Sequence, residues 1–524
     1  MSLTKDELLA LVRKGARNMS WQEKLRLTVL LSLPAMVAQI SSVAMQIIDA
    51  AMLGHLGTKE SATVGLVSTT IWLFGGLCSA FAAGFSVQVA HYVGAEDLRG
   101  ARNIIRQGLF AGLTFSLLLT LIGILIAPYL PVWLGADESI HAGASEYFTI
   151  VAMALPVLEI NMLAAGSLRC SGNIKVPSLL NALMCVLDVI FNYLFIFVLH
   201  MGTAGAAYGT FLAYAITMGL MLYFMSVRDP QLRFALDQQT LSPTLPRNGE
   251  GDHAGSLSPA NKPDGSPHYR GDVRRTERVF YHYIPSRMTL KKAFVIGSPI
   301  SLERGVMCGA QIAITGIIAP LGSVAIAANT FGINIESLCY MPGYGIAEAS
   351  TTLVGQSLGA RRKDLMRSFA WISVTLGMAV MAVMGILMGV FAPELMQMVS
   401  TDASVVALGS EVLRIEAWAE PMFAASIVAY GVFVGSGKTL VPSLMNLASI
   451  WIVRLTLALM LAPTMGLRGV WIAMCIELCW RGAAFLFRLS RRGWSNISME
   501  EAKNQTTQTE KESLIKTETI YENY

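Results

Sequence analysis

The stretch that decides the fold is Ser171-Gly-Asn-Ile-Lys-Val-Pro-Ser-Leu-Leu-Asn181, because it occurs again as Ser436-Gly-Lys-Thr-Leu-Val-Pro-Ser-Leu-Met-Asn446. We call the separation between Ser171 and Ser436 the repeat spacing. Other matches at the repeat spacing are Pro34 with Pro299, Gln46 with Gln311, Leu56-Gly57 with Leu321-Gly322, and Gly166 with Gly431. Val93-Gly94 matches Val354-Gly355 at a locally shorter distance, and Met201-Gly202 matches Met465-Gly466 after one deletion. The chain therefore consists of two copies of one structural unit.

The composition indicates that this unit lies in a membrane. Hydrophobic residues make up 54% of the chain and charged residues only 14%, with a mean hydropathy of +0.53. A soluble domain has about one quarter charged residues. Apolar runs long enough to cross the bilayer as helices lie near 27–52, 61–90, 108–127, 147–168, 178–199, 204–226, 292–318, 324–352, 368–392, 411–434, 443–462 and 468–488. The sequence predicts an all-α membrane protein with twelve transmembrane helices.

Each copy holds six spans, so the chain returns to its starting side and the two copies share one orientation. We expect two six-helix bundles related as parallel repeats, at residues 27–227 and 291–490. Cationic connections stay on the cytoplasmic side. The amino-terminal arm and the turns after even-numbered spans hold nearly all the Lys and Arg of the short connections, whereas the turns after odd-numbered spans hold only Lys59 and Arg468. This asymmetry predicts a multi-pass protein with both termini in the cytoplasm.

Three segments fall outside the predicted bundles. Residues 1–26 alternate apolar and basic side chains at helical spacing, which predicts a cytoplasmic amphipathic arm lying on the inner leaflet. Residues 228–290 contain too few apolar side chains to pack, and they predict a disordered cytoplasmic linker. The tail at 491–524 has the same character and the same prediction.

Acidic side chains within the spans carry the functional signal, because an ionisable group at bilayer depth is costly and commonly marks an ion or substrate path. The nine candidates are Asp49, Glu159, Asp188, Glu303, Glu336, Glu348, Glu416, Glu420 and Glu477. Only Arg304 and Arg454 are expected at comparable depth. A net acidic interior attracts cations and repels anions.

The repeat provides an internal comparison for these acids. Four polar residues of the first half have apolar counterparts in the second: Asp49 with Ile314, Asp188 with Val453, Asn192 with Leu457, and Thr210 with Met474. Packing at these positions does not require polarity, which predicts a cation site confined to the first half. Two carboxylates, an amide oxygen and a hydroxyl are ligands that suit Na⁺. The carboxylates could instead carry protons.

A structural interpretation fits some of the other acids better. An acid near the end of a span often caps a turn or pairs with a neighbouring donor, and this is the interpretation for Glu159, Glu348 and Glu477. Asp49 and Asp188 lie within long apolar runs instead, which favours function.

Several motifs together resemble the multidrug and toxic compound extrusion family, in its bacterial form. They are Asp49-Ala-Ala-Met-Leu-Gly-His-Leu-Gly, Val93-Gly-Ala, Ser171-Gly-Asn-Ile-Lys-Val-Pro, Phe191-Asn-Tyr-Leu-Phe-Ile-Phe and Pro342-Gly-Tyr-Gly-Ile-Ala. The resemblance covers residues 25–490 apart from the linker. It implies a twelve-span antiporter that expels organic cations and drugs in exchange for Na⁺ or H⁺. Asp49 then matches the acid of the family's first span, and Thr210 matches the hydroxyl of its sixth.

The chain departs from the family pattern in two places. Family members with a cation site in the first lobe commonly carry Asn and then Asp one turn later in the fifth span, whereas here Asp188 precedes Asn192. Other branches use a glutamate in the seventh span, at the position of Met307, one turn beyond Glu303. The possible cavity acids of the second lobe are Glu303, Glu336, Glu416 and Glu420.

Other functions remain open at this stage. The nearest alternative is a flippase for lipid-linked saccharides from the same superfamily, although such a protein would favour a cationic cavity. An enzyme is not expected, because metal-spaced histidines and a nucleophile–base pair are both missing. We expect a monomer in a bacterial inner membrane, with no nucleic-acid partner and no cofactor besides the coupling ion.

Overall fold

The computed structural model describes residues 3–14, 18–233 and 285–495, and these residues fold into helices joined by short turns. In the first half the helices are α1 (Lys5–Lys14), α2 (Trp21–Leu56), α3 (Thr58–Gly94), α4 (Leu98–Ile126), α5 (Leu130–Trp133), α6 (Glu138–Ser171), α7 (Lys175–Tyr193) and α8 (Gly202–Tyr223). The second half contains α9 (Arg287–Ile318), α10 (Ser323–Gly359), α11 (Lys363–Val390), α12 (Ala392–Gln397), α13 (Ala403–Glu416), α14 (Glu420–Gly435), α15 (Leu440–Ala448), α16 (Leu455–Met465) and α17 (Leu467–Ser490). Three π-helical segments, Leu194–Val198, Phe224–Arg228 and Ser449–Arg454, continue α7, α8 and α15.

The predicted spans coincide with these helices. Within the described residues, 10 helices are long and apolar enough to cross a membrane, and the bent pair α13 and α14 makes an eleventh span. The twelfth predicted span is α10, whose 37 residues are long enough but include Glu336, Glu348 and several Gly and Ser residues. The prediction of a multi-pass, all-α membrane protein is confirmed.

The repeat is visible in the backbone. Helices α3 and α10 end at Gly94 and Gly359, and each is followed two residues later by a left-handed residue, Glu96 (φ 59°) or Arg361 (φ 58°). These two turns lie at the repeat spacing. The match of Val93-Gly94 with Val354-Gly355 is therefore wrong by about one helical turn, because the shape of the turn, and not the Val-Gly pair, fixes the register. The predicted deletion is confirmed, since Gly202 and Gly466 both have φ 60°.

The two halves differ at one proline. Pro156 and Pro421 are equivalent positions of the repeat, but α6 continues through Pro156 whereas the second half breaks between α13 and α14 with a bend of 59°. Pro421 lies in the first turn of α14, where its missing N–H leaves no hydrogen bond unmade. Glu416 is the last residue of α13 and Glu420 is the first residue of α14, so the two acids lie on either side of the break.

The chain forms two compact units. One contains the described residues up to Ala44, Gly94–Glu96 and the described residues from Leu302 onward; the other contains Met45–Val93 and the described residues between Asp97 and Ser301. Helices α2 and α9 each contribute residues to both units. The lobe boundaries at 27–227 and 291–490 stay a prediction.

The amino-terminal arm differs from expectation. Leu8 and Val12 of α1 are fully buried in the protein, and Leu9 is 2% exposed. The apolar face that the sequence assigned to the inner leaflet therefore packs against protein, since the same amphipathic pattern serves either surface.

The ends of the two halves are anchored in corresponding ways. Arg102 donates to the carbonyl of Gln231 (3.1 Å), and Arg367, its equivalent in the repeat, donates to Ser495 Oγ (2.7 Å). Asn173 and Lys438 likewise donate to Asp229 and to the Trp494 carbonyl, each at 3.0 Å. The predicted disorder of the linker and the tail concerns mainly residues 234–284 and 496–524, which lie outside the described residues.

Glycines allow equivalent helices to approach closely in each half. A methyl group on Gly166 of α6 would lie 2.7 Å from Ser86 Oγ of α3, and one on Gly431 of α14 would lie 2.6 Å from the Ala347 carbonyl of α10. Small residues at such contacts are the usual basis of helix packing in membranes.

Replacing Gly431 should therefore destabilise the fold. We expect Gly431→Ala to cost about 1–3 kcal/mol, because its methyl group meets a backbone atom that cannot turn aside. Gly65→Ala is the control, since nothing lies within 4 Å of that position. Thermal unfolding in detergent measures both; equal melting temperatures for the two variants would contradict the close-packing argument.

Candidate functional site

The predicted cation site of the first half is assembled around one amide group. Asn192 Nδ2 donates to Asp49 Oδ1 and to Asp188 Oδ2, both at 3.0 Å. Asp188 and Asn192 lie one turn apart on α7, which places them on one face, while α2 supplies Asp49. Thr210 of α8 lies against the Asp188 carboxyl group. All four predicted residues are thus brought together, and we call them the Asp–Asn cluster.

Two of the four side chains of the cluster are shielded from solvent. Asp188 is fully buried and Asn192 is 1% exposed, whereas Asp49 is half-buried. Within the described part of the chain, neither aspartate forms an ion pair with Lys, Arg or His. The negative charge of the two carboxyl groups is therefore not balanced by a basic side chain among these residues.

Two buried oxygens of the cluster have no hydrogen-bond partner among the residues that the structure describes. They are Asp188 Oδ1 and Asn192 Oδ1. Nearly all buried polar atoms in proteins find a partner, so such exceptions point to strain or to a missing ion or water. Together with Asp49 and the Thr210 hydroxyl, these atoms form a set of hard oxygen donors that suits Na⁺, and the carboxylates can also take up a proton.

Gly209 is a site residue that the sequence did not reveal. A methyl group there would lie 2.9 Å from the backbone N of Asn192 and 3.1 Å from its Cγ, so only glycine leaves room for this asparagine. The signal that could have identified it is its position immediately before Thr210. The π-helical segment Leu194–Val198 begins two residues after Asn192, and such segments often occur at functional sites.

Glu303 of the second half has a different environment. Both oxygens of Glu303 are occupied, because Tyr430 donates to Oε2 and Asn446 Nδ2 donates to Oε1, each at 2.7 Å. These bonds join α9, α14 and α15. Glu303 is therefore held between three helices, with donors already in place.

Glu416 and Glu420 are the two acids at the helix break. Both are fully buried. Within the described residues none of their four carboxyl oxygens accepts a hydrogen bond from an N–H or O–H donor, and the Cys339 thiol lies beside Glu420. Glu336 of α10 is 5% exposed and lies close enough to interact electrostatically with both. Three of the predicted second-lobe acids are thus brought together, while Glu303 stands apart with its own partners.

Glu477 is the centre of an ion-pair network. Arg454 Nη2 contacts its Oε2 at 2.7 Å, Arg481 Nε contacts its Oε1 at 3.2 Å, and Ser449 Oγ also donates to Oε1. Arg481 was missed by the sequence analysis although it lies one turn after Glu477. Arg481 is buried, so it is a further cation inside the second half beside the expected Arg304, which is exposed, and Arg454.

The remaining two acids have neighbours of their own. Gln39 Nε2 donates to Glu348 Oε1 at 3.1 Å, as the structural interpretation requires. Glu159 is fully buried beside the Cys78 thiol. The described residues contain no group of three His, Cys, Asp or Glu side chains able to hold a metal ion, so a Na⁺ site here depends on Asn192 and Thr210 as well.

A repeated bundle of membrane-spanning helices with buried polar groups is an architecture that many membrane transporters share. The MatE family model matches residues 34–194 and 299–460, more than half of the chain. The chain belongs to the MatE family. It is an efflux transporter and not an enzyme. The two matched segments begin at Pro34 and Pro299, the paired prolines of the repeat.

Individual relatives match over nearly their whole length. A probable multidrug resistance protein NorM of Thermotoga maritima is 24% identical over 469 residues, covering 88% of this chain and 91% of the relative. The protein of the same name from Chromobacterium violaceum is 27% identical over 482 residues, covering 90% and 94%. A crystal structure of MATE in complex with MaL6 has the same fold, with a TM-score of 0.78, 21% identity, and coverage of 92% and 98%.

Gly209 provides a test of the cluster that leaves every ligand in place. We expect Gly209→Ala to displace Asn192 and to reduce export at least tenfold, because the added methyl group overlaps it. Gly219→Ala on the same helix is the control, as nothing lies within 4 Å of Gly219. Export is measured in cells that lack their own pumps; two variants with equal export would show that Asn192 need not be held there.

The Glu477 network should contribute to stability. Glu477→Gln leaves the buried Arg481 and the partly buried Arg454 without their carboxylate, which costs about 3–5 kcal/mol for a buried pair. Glu411→Gln removes the partner of Arg468 in a half-exposed pair at 2.5 Å, where the loss is at most about 1 kcal/mol. Thermal unfolding compares them. If both changes lower the melting temperature equally, the network has no special structural role.

Proposed function

We propose that the chain exports organic cations, including drugs and other xenobiotics, in exchange for Na⁺ or H⁺. The observation that carries the proposal is the amide of Asn192 shared between Asp49 and Asp188. One amide donor cannot balance two carboxylates, so the cluster has the highest affinity for a small positive charge when both are ionised. Binding and release of that charge would drive transport.

The comparison between the halves supports this assignment. Each polar residue of the cluster has an apolar counterpart at the equivalent position of the second copy, so the fold itself does not need polarity at these positions. The unpartnered oxygens of Asp188 and Asn192 are the atoms an ion would use. Coupling then follows from linkage: if the ion weakens substrate binding, the substrate weakens ion binding by the same factor.

The substrate class rests on charge and on relatives. Glu336, Glu416 and Glu420 give the second half a buried acidic group suited to cationic compounds. The relatives from Thermotoga and Chromobacterium are named multidrug resistance proteins. Methionines, 28 in all, provide adaptable apolar surface for ligands of different shape.

The remaining expectations follow from the same reasoning. We place the transporter in a bacterial inner membrane as a monomer, with both termini in the cytoplasm. A flippase for lipid-linked saccharides is the alternative. It would need basic groups for a pyrophosphate, and the basic side chains Arg454 and Arg481 are engaged by Glu477.

Neutralising the cluster should uncouple transport. We expect Asp49→Asn and Asp188→Asn each to lower drug export at least tenfold, because neither variant offers two carboxylates to the ion. Asp402→Asn is the control: Asp402 is an exposed helix cap, and Asn caps equally well. Ethidium efflux from pump-deficient cells is the measurement. Unchanged export in both cluster variants would refute the coupling site.

The identity of the ion is tested separately. Purified protein in proteoliposomes is given a Na⁺ gradient at constant pH, or a pH gradient without Na⁺, and drug movement is followed. Movement driven by one gradient and lost in Asp188→Asn identifies the ion. Movement driven by neither would reject antiport.

A further inference from the structure

Helix α1 is docked on the end of α10 by specific contacts. Arg13 Nε donates to Gln356 Oε1 at 3.2 Å, and Arg362 Nη1 donates to the carbonyl of Leu11 at 3.0 Å. The second bond satisfies one of the last carbonyls of α1, which have no partner within the helix. Leu8 and Val12 are fully buried, so the apolar face of α1 also packs against residues of this chain.

The docking residue Gln356 also meets the end of α3. A methyl group on Gly94 would overlap the Gln356 carbonyl, so the two backbones are in direct contact. Gln356, near the end of α10, therefore contacts both α1 and the turn Gly94–Glu96. The two turns are repeat equivalents, each with a non-glycine residue in the left-handed region. Such a conformation persists where surrounding contacts hold it.

Helix α1 has its own capping interactions, separate from those of α2. Thr4 and Glu7 form a capping box, in which Thr4 N donates to Glu7 Oε2 (2.7 Å) and Glu7 N to Thr4 Oγ1 (3.4 Å). Arg13 and Lys14 occupy the last turn, where cations are favourable. A separate capping box of Ser20 and Glu23 starts α2. The starts of α1 and α2 are therefore fixed by separate capping hydrogen bonds.

We propose that α1 is a conformational latch, which when docked holds the turns Gly94–Glu96 and Gly359–Arg362 together and which must release during transport. An element that binds one conformation stabilises it by its differential affinity. Alternating access requires contacts at one end of a transporter to form and break in each cycle. The latch rests on the proposed transport function, but its docking can be measured without transport.

Reversible cross-linking tests the need for release. In the full-length protein, Lys14→Cys and Lys363→Cys, both at exposed positions, are joined by a cleavable bis-maleimide linker. We expect export to fall at least tenfold on cross-linking and to recover after cleavage. Each single variant, treated identically, accounts for the native cysteines. A cross-linked protein, verified by mass, that exports at the unlinked rate would overturn the latch.

Hydrogen exchange tests the holding role. In purified full-length protein, Leu8→Ala combined with Val12→Ala should speed amide exchange at least tenfold in peptides covering residues 94–97 and 356–362. Lys14→Ala is the exposed control on the same helix. Faster exchange confined to α1 itself would contradict the proposal. An unfolded variant exchanges throughout and is thereby recognised, and cross-linking then decides. Absent export by the unmodified protein would instead reject the proposed function.

Discussion

A carboxyl group buried among apolar helices requires a compensating positive charge or a proton, and Glu477 and the Asp–Asn cluster meet that requirement differently. In the second half Glu477 has permanent partners, Arg454 and Arg481, supplied by neighbouring helices. In the first half the Asp–Asn cluster has a single amide donor and no basic partner among the described residues. The charge of Glu477 is balanced within the protein, whereas no basic side chain among the described residues balances the Asp–Asn cluster. This contrast in counter-charge distinguishes the ion-pair network of Glu477 from the candidate site.

The same contrast explains how far the sequence could lead. Apolar runs of about twenty residues identify membrane helices because the bilayer leaves the backbone no other way to satisfy its hydrogen bonds, and the twelve predicted spans coincide with helices. The repeat identified the Asp–Asn cluster because it showed polarity where the fold tolerates Ile314 and Val453. Glycine contacts were less accessible: Gly209 matters because of what lies beside it, and a sequence pattern does not show neighbours on another helix.

The errors have physical causes as well. The amphipathic spacing in α1 indicates only that one face of the helix is apolar. Such a face can pack against either protein or lipid. The Val-Gly match at 354 was misleading because small residues recur every four positions along a packed helix, so a shift of one turn gives another plausible match. Arg481 was overlooked because a basic residue near the end of a span usually extends toward the membrane surface. Its i,i+4 relation to Glu477 keeps it buried.

The π-helical segments influence where the charged groups lie around their helices. In an α-helix, residues five apart are separated by about 140° around the axis, so Ser449 and Arg454 would not face the same side chain. The π-helical segment Ser449–Arg454 has a wider turn, and both residues reach Glu477. In α7 the π-helical segment starts only after Asn192, so Asp188 and Asn192 keep the ordinary one-turn spacing. In the second half the π-helical turn therefore contains the residues that contact Glu477. In the first half it begins after Asp188 and Asn192. This difference lets the span of one copy keep Asp188 and Asn192 one turn apart, while the equivalent span of the other brings Ser449 and Arg454 to Glu477.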